Sequence, residues 1–211
     1  MRILPAGLLI LVFAQPAWAQ LKLTSGGSAA LGVSLGGVVT TQSPADLPLV
    51  TVVTFGDVGP FNTNSYVCLT QPLYLRAQLP SSLKAAVTTA SFGSGPGDLR
   101  KQDIGIGVVN LAAGGGNADI STAVITPAFA GDPCLAPKNS DGVPSYSASL
   151  ANLASAVPGT TLMQSTGALS PRAALSSSSN RVLLDLRLAI APQAFTAGAF
   201  SATITLTLTN P

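Results

Sequence analysis

The sequence FSATITLTLT, residues 200–209, alternates an apolar side chain with a serine or threonine at every step. Because successive side chains of a β-strand point to opposite faces of a sheet, this pattern predicts a strand with one buried face and one threonine-lined face. Residues 181–191 show the same alternation, with Asp185 and Arg187 on the side opposite the leucines. The connection between these two segments, residues 192–198, is long enough either to cross from one sheet to another or to form a wide hairpin.

Five earlier segments are rich in β-branched or alternating apolar residues and are bounded by Gly, Pro, Asn or Asp, as is typical of strands separated by turns. They are residues 49–55, 72–79, 85–92, 103–111 and 120–125. We also predict a hairpin tip at the glycine-rich residues 114–117 and a short helix over residues 150–157. The chain contains no glutamate, and its glycines and prolines recur at intervals that interrupt helices. The predicted fold is all-β, an immunoglobulin-like antiparallel β-sandwich.

The first residues have the layout of a secretory signal peptide. A basic Arg2 precedes an apolar run over residues 3–13, and the small-residue sequence AWA follows at residues 17–19. We expect cleavage there, which divides the chain into a signal peptide, residues 1–19, and a single β-sandwich domain, residues 20–211. No later stretch approaches the roughly 20 uncharged apolar residues of a membrane helix. We therefore expect a secreted protein, extracellular or periplasmic or at the cell surface, with no membrane span in the mature chain.

Charged residues make up 9% of the chain, against roughly a quarter in an average globular domain. Cleavage removes Arg2, so nine of the ten basic residues remain against eight acidic ones, and the net charge becomes about +1. This balance predicts no binding of nucleic acid and no attraction to anionic membranes. The low charge favours surfaces that pack against neighbouring subunits.

The segment after the predicted cleavage site alternates apolar and polar residues on both sides of the flexible sequence Gly26-Gly27-Ser28. The alternating residues are 21–23 and 31–35, which predicts one or two strands joined by a hinge. One interpretation is an ordinary first strand of the sandwich. The other is a strand that adds to the sheet edge of a neighbouring subunit.

The closing run, residues 196–209, resembles the final strand of secreted bacterial immunoglobulin-like sandwiches, in which an aromatic residue precedes alternating threonine and aliphatic residues. It is similar to the ending of fimbrial-subunit and spore-coat-U-like proteins. The resemblance covers this run and the general layout of the strands. It implies a pilus, coat or adhesin component that associates with itself or with other surface subunits by strand addition.

Cys68 and Cys134 are the only cysteines, and two cysteines in an exported chain predict a disulfide. We place Cys68 at the end of a strand that contains Tyr66 and Val67. Cys134 lies in a turn-rich sequence, so the bond is expected to hold an irregular excursion of the chain against the sheet. A metal or redox pair is disfavoured because the chain has no CxxC spacing and no histidine.

The lack of histidine also removes the usual general base of serine, cysteine and metal-dependent catalysis. One nucleophile pattern is present, Ser81-Ser82-Leu83-Lys84, which has the spacing at which lysine activates serine in penicillin-recognising enzymes. The pattern is short, and we favour a polar turn after Pro80 with a solvated lysine. The sequence therefore predicts no enzyme and no catalytic residue.

Two pairs of aspartates lie in oxygen-rich loops of the kind that calcium favours, Asp98 with Asp103 and Asp132 with Asp141. The regular aspartate spacing of a calcium loop is missing, so we favour solvated turns and predict no metal and no other cofactor. A bound calcium ion stays an open alternative.

The sequence Gly105-Ile106-Gly107 lies inside an apolar strand, which indicates a bulge or the close approach of another backbone rather than a phosphate-binding loop. The aromatic residues are spread along the chain, so we assign them to the core or to strands rather than to a carbohydrate-stacking platform. They are Phe55, Phe61, Tyr66, Tyr74 and Phe92.

These observations favour a secreted or cell-surface structural or adhesion protein without enzymatic activity, such as a pilus, coat or adhesin-like subunit. The alternative is an extracellular β-sandwich module that binds a carbohydrate or another small ligand through loops at one end of the sandwich. Clustered and exposed aromatic side chains would favour the alternative.

Overall fold

A computed structural model gives the arrangement of the strands. The residues that it describes are 17–26, 30–36, 61–62, 66–75, 77, 79–92, 97–114, 118–169, 182–190, 193–194 and 201–209. The predicted strand at residues 49–55 lies outside these ranges.

Eleven strands and four short 3₁₀ turns form within the described residues. The strands are β1 Ala17–Gly26, β2 Ala30–Gly36, β3 Phe61–Asn62, β4 Val67–Leu75, β5 Ser81–Ser91, β6 Ile104–Ala113, β7 Ala123–Ile125, β8 Thr160–Ser165, β9 Val182–Ile190, β10 Gln193–Ala194 and β11 Ser201–Thr209. The turns are Lys101–Asp103, Pro127–Phe129, Pro133–Leu135 and Leu150–Asn152. These turns are the helical segments of the described residues. None of them is long and apolar enough to cross a membrane.

The strands form two main antiparallel sheets around one core. A six-stranded sheet has the order β2-β1-β11-β5-β8-β7, a three-stranded sheet has the order β4-β9-β6, and β3 pairs with β10 in a short ladder of its own. Leu184 and Ile106 from the three-stranded sheet share a hydrophobic cluster with Leu206 and Leu162 from the six-stranded sheet. The predicted all-β, antiparallel, sandwich-like fold is confirmed, while its immunoglobulin-like topology stays a prediction.

Alternation located the last two long strands correctly. On β9, the leucines at every second position are buried, whereas Asp185 and Arg187 lie on the opposite face and are partly exposed. Because β9 and β11 lie in different sheets, the connection between them crosses from one sheet to the other and does not form a hairpin.

Several local predictions were wrong. The strands on either side of the predicted hairpin tip at residues 114–117, β6 and β7, lie in different sheets and do not pair with each other, and residues 115–117 lie outside the described residues. The helix predicted over residues 150–157 is a single 3₁₀ turn, Leu150–Asn152. The Ser149 hydroxyl caps its N-terminal end. The polar turn predicted after Pro80 is the beginning of β5, and β8 was not predicted at all.

The N-terminal segment forms a two-stranded antiparallel hairpin, where the sequence predicted one or two strands joined by a hinge. β1 pairs with β2, and it also pairs with β11 from Ala17 opposite Leu208 to Thr24 opposite Ser201. The segment therefore adds to the last strand of its own chain. β1 crosses the predicted cleavage point, and five of its eight pairs with β11, from Gln20 to Thr24, lie after that point.

The threonine-lined face of β11 is more buried than alternation alone predicts. Thr205 and Thr207 are 3% and 1% exposed, because β11 lies inside the sheet and its short side chains sit between neighbouring strands. The Thr205 hydroxyl shares a hydrogen bond of 2.9 Å with the Thr88 hydroxyl. The Thr207 hydroxyl is buried and has no hydrogen-bond partner among the described residues.

We therefore expect Thr207→Val to stabilise the protein by about 1 kcal/mol, because it replaces an unpaired buried hydroxyl with a methyl group of similar shape. Thr205→Val is the matched control on the same strand and face. It breaks a hydrogen bond and should cost about 1 kcal/mol. Chemical unfolding measures the free energy of unfolding of both variants. Equal destabilisation by the two substitutions would contradict the prediction.

Candidate functional site

The predicted disulfide between Cys68 and Cys134 is confirmed. It joins residues 66 positions apart in sequence, with Cα atoms 6.0 Å apart. Cys68 is the second residue of β4, near the start of that strand and not at its end as we predicted. Cys134 lies in the 3₁₀ turn Pro133–Leu135. The bond therefore links an edge strand of the three-stranded sheet to an irregular segment, as the sequence indicated.

That segment, residues 126–149, is here called the strap. Its middle part packs on the face of the three-stranded sheet that points away from the core, while Phe129 and Ala148 near its ends belong to the core. Each of its two arms bonds to the edge of β6. In the first arm, the Gly131 amide donates to the Val108 carbonyl at 3.3 Å. In the second arm, the Ala148 carbonyl accepts from the Ile106 amide at 3.0 Å. The strap thus begins and ends on β6 and passes over the sheet between these points.

Two glycines of β6 let the strap lie directly on the sheet. A β-carbon on Gly105 would overlap the Tyr146 ring and lie 2.8 Å from the Pro133 β-carbon. A β-carbon on Gly107 would overlap the carbonyl oxygen of Gly131. The close approach predicted for this glycine pair is confirmed.

Two tyrosines attach the strap to the sheet. The Tyr66 hydroxyl donates to the Ala136 carbonyl at 2.7 Å, and the Tyr146 hydroxyl donates to the Ala189 carbonyl at 3.3 Å. Their rings meet edge to face with centroids 6.4 Å apart, and the Lys138 ammonium lies 5.8 Å from the Tyr66 centroid. Because both rings are half-buried and both hydroxyls are bonded, the pair is a structural attachment rather than an exposed stacking platform.

Among the other aromatic residues that we considered, the structure describes the side chain of Phe92. Phe92 packs partly buried against the core. Phe55 lies outside the described residues, as do the side chains of Phe61 and Tyr74.

An ion pair adds a further attachment. The Arg187 guanidinium on β9 donates to the Asp132 carboxylate at 3.3 Å, and the same carboxylate accepts from the Cys134 amide at 2.9 Å. Both side chains are about one quarter exposed, at 28% and 24%, so solvent screens the pair and its contribution is modest. Asp132 therefore holds the 3₁₀ turn that carries Cys134.

A cavity of about 200 Å³ lies between the two arms of the strap. Its lining combines buried apolar residues, among them Ile106 and Phe129, with the exposed Ser145 and Ser147 of the second arm. No local pattern in the sequence indicates this cavity, because its walls come from segments that are far apart in the chain.

The structure separates the residues of the Ser-x-x-Lys pattern. Ser81 and Lys84 both belong to β5, where Ser81 is 1% exposed and Lys84 is only partly buried. The Ser81 hydroxyl is buried and makes no hydrogen bond within the described residues. A lysine three positions along a strand points away from such a serine, so this pair does not form a nucleophile and its base.

Two of the four paired aspartates, Asp103 and Asp132, have structural roles for their carboxylates. The Asp103 carboxylate accepts from the Arg100 amide at 2.7 Å and so caps the turn Lys101–Asp103. Asp141 lies at an exposed tip of the strap, where its amide donates to the Asn139 side chain at 3.0 Å. Within the described ranges, no three acidic, cysteine or histidine residues come together in a way that would hold a metal ion.

Burial raises the pKa of Tyr66 above its ordinary value of about 10. The pKa of Tyr66 is higher in the folded state than in the unfolded state. The contribution of the neutral Tyr66 side chain to the free energy of unfolding is therefore fully present below about pH 10, and it is lost as the pH rises through the folded-state pKa. Ionisation also removes the hydrogen that Tyr66 donates to Ala136. We therefore expect the free energy of unfolding to fall above about pH 10, partly because of Tyr66.

Tyr66→Phe tests this assignment. At neutral pH the variant should lose about 1 kcal/mol, the usual contribution of one hydrogen bond. From pH 7 to 11 its stability should fall less than that of the wild type, as measured by urea unfolding at each pH. Parallel curves for the two proteins would show that Tyr66 does not couple to folding.

The comparisons with known proteins add no relative to this description. No family model, no curated protein and no solved structure matches the chain.

Proposed function

We propose that this chain is an exported structural or adhesion protein without enzymatic activity, a subunit of a pilus, coat or similar cell-surface assembly. Its copies associate by strand addition, in which the β1–β2 hairpin of one copy pairs with β11 of the next. The observation that carries the proposal is the ladder between β1 and β11.

That ladder joins the hairpin to the rest of the fold. After cleavage at residue 19, β1 pairs with β11 over five consecutive residues, Gln20 to Thr24, while β2 pairs only with β1 among the described strands. Residues 37–60 connect the hairpin to β3, a length of 24 residues. Because the same backbone bonds form whether the hairpin belongs to the same copy or to another one, exchange between copies preserves every pair of the ladder.

Two other features support an extracellular assembly subunit. The disulfide ties the strap covalently to the three-stranded sheet, which suits a protein outside the reducing cytoplasm. The low content of charged residues, 9% of the chain, favours surfaces that pack against neighbours.

Cysteine cross-linking distinguishes exchange between copies from pairing within one chain. Lys22 and Thr203 are Cα partners across the ladder, so Lys22→Cys/Thr203→Cys allows a bond between β1 and β11. Ser82→Cys/Gln164→Cys is the matched control, since Ser82 and Gln164 are Cα partners of β5 and β8 inside one unit. Both variants are made in the mature protein and run on non-reducing gels.

We expect the first variant to give covalent dimers and a ladder of larger species, and the control to stay monomeric. Light scattering on the uncross-linked protein should then show multimers as well. Closure of both pairs within single chains, together with a monomeric mass in solution, would overturn the proposed association.

A further inference from the structure

The three-stranded sheet ends on β6 at one side and on β4 at the other. An edge strand presents unpaired backbone amides and carbonyls, which can pair with a strand of another chain. The strap covers the middle of the β6 edge, where the Ile106 amide and the Val108 carbonyl already bond to its two arms. β4 pairs with β9 and has no second neighbour among the described strands. The β4 edge is therefore the side of this sheet where an incoming strand could pair.

The pairing of the three strands shows which backbone groups of β4 point outward. In an antiparallel sheet, the amide and carbonyl of one residue point to the same neighbour, and those of the next residue point to the opposite one. Val108 points to the strap, so Gly107 beside it bonds to its β9 partner Arg187. The preceding residue of β9, Leu186, therefore faces β4, where its partner is Gln71. Every second residue of β4, counted from Gln71, bonds to β9, and the residues between them point to the outer edge.

Pro72 is one of these outward residues, and neither of its backbone groups is open to an incoming strand. Proline has no amide hydrogen, so it offers no donor. The Pro72 carbonyl points the same way and accepts a hydrogen bond of 2.8 Å from the Gln71 side-chain amide. Gln71 is 9% exposed and shares the core-facing side of β4 with the buried Leu73, so this bond is shielded from water.

Pro72 lies in the middle of the outward row, which consists of Cys68, Thr70, Pro72 and Tyr74. An incoming strand needs several consecutive pairs along such a row, and Pro72 interrupts it. Proline on an edge strand is one of the devices by which proteins prevent edge-to-edge association. On β4 the neighbouring glutamine side chain completes the block by occupying the carbonyl.

The six-stranded sheet differs, because it ends on β2 and β7 among the described strands. β7 has three residues and offers an incoming strand few backbone groups, whereas β2 has seven. We infer that Gln71 and Pro72 close the β4 edge, so that a second copy of this chain adds a strand at the hairpin end of the six-stranded sheet and not to the three-stranded sheet. The inference goes beyond the proposed association and does not rest on it, because a closed edge protects a monomer from aggregation equally well.

Amide hydrogen exchange, followed by NMR on the mature, oxidised protein, tests the state of the edge directly. The Leu73 amide bonds to β9 and should exchange about tenfold more slowly, or slower still, than the outward amides of Thr70 and Tyr74. Equal protection of these amides in the wild type would show that another part of the chain pairs with β4. That result would overturn the inference.

Gln71→Val/Pro72→Thr opens the edge, because it restores the outward amide and frees the carbonyl. We expect its mass in light scattering to exceed that of the wild type about twofold or more as the protein concentration rises. The Thr70 amide should gain about tenfold protection under the same conditions. If the double variant does not fold, Pro72→Thr alone replaces it, with a smaller change in the same two measurements.

Gln164→Val is the matched control. It makes the same glutamine-to-valine change on β8, which has a strand on each side, and should leave the mass and the exchange of Thr70 as in the wild type. A double variant that keeps the wild-type mass would overturn the inference, and so would a higher mass without protection of Thr70. Each variant is compared with the wild type, so the result holds whether or not copies also exchange their hairpins.

Discussion

Removal of the disulfide by Cys68→Ala/Cys134→Ala should lower the free energy of unfolding by about 4 kcal/mol. The bond closes a loop with a sequence separation of 66 residues, and the chain-entropy relation gives a value of this size for such a loop. Since the net stability of a domain is about 5–15 kcal/mol, the loss is a large fraction of the whole. It should appear as an unfolding transition at a much lower denaturant concentration.

The measurement compares the wild type and the double variant in guanidinium with and without a reducing agent. Reduction should move the wild type to the midpoint of the variant and should leave the variant unchanged. Thiol titration of the purified exported protein provides a separate check, because both cysteines are bonded in the native state. Free thiols in that protein, or a loss below about 1 kcal/mol, would contradict the assigned role.

The residues that the sequence identified correctly are those whose role follows from a local pattern. β11 alternates along its whole length and β9 alternates from Leu184 to Leu188, because one face of each strand points into the core. β8 was missed because Leu162 and Met163 are adjacent and both buried, so the strand does not alternate. Ser81 was assigned to a turn because a polar residue after proline resembles a turn, although the strand buries it.

For a related reason, the sequence predicted the disulfide and the close approach at the glycine pair, but it did not predict the strap or its cavity. Cysteine count and export indicate the disulfide, and the glycine pair of β6 indicates a close approach. The identity of the approaching segment depends on Tyr146 meeting Gly105, a contact between residues 41 positions apart in sequence. Such a contact leaves no periodic pattern, so neither the strap nor its cavity is visible before the chain is folded.

Gly107→Ala should therefore show how firmly the strap rests on the sheet. The added β-carbon would overlap the Gly131 carbonyl oxygen and lie 3.0 Å from the δ-carbon of Pro133. Gly131 has a φ of 138°, a conformation that glycine adopts much more readily than other residues, so the strap follows a glycine-dependent path where it meets Gly107. We expect a loss of about 1–3 kcal/mol, as for other overpacked sites.

The disulfide decides whether the strap can lift away from the added methyl group. In the wild-type background the bond from Cys134 to Cys68 ties the strap to β4, so the overlap persists. In the Cys68→Ala/Cys134→Ala background the strap can move outward, and Gly107→Ala should cost less than in the wild type. Chemical unfolding of the four proteins in this double-mutant cycle measures the coupling, which should exceed about 0.5 kcal/mol because the two sites act on one segment. Strict additivity would mean that the disulfide does not hold the strap against Gly107 and acts on the unfolded chain alone.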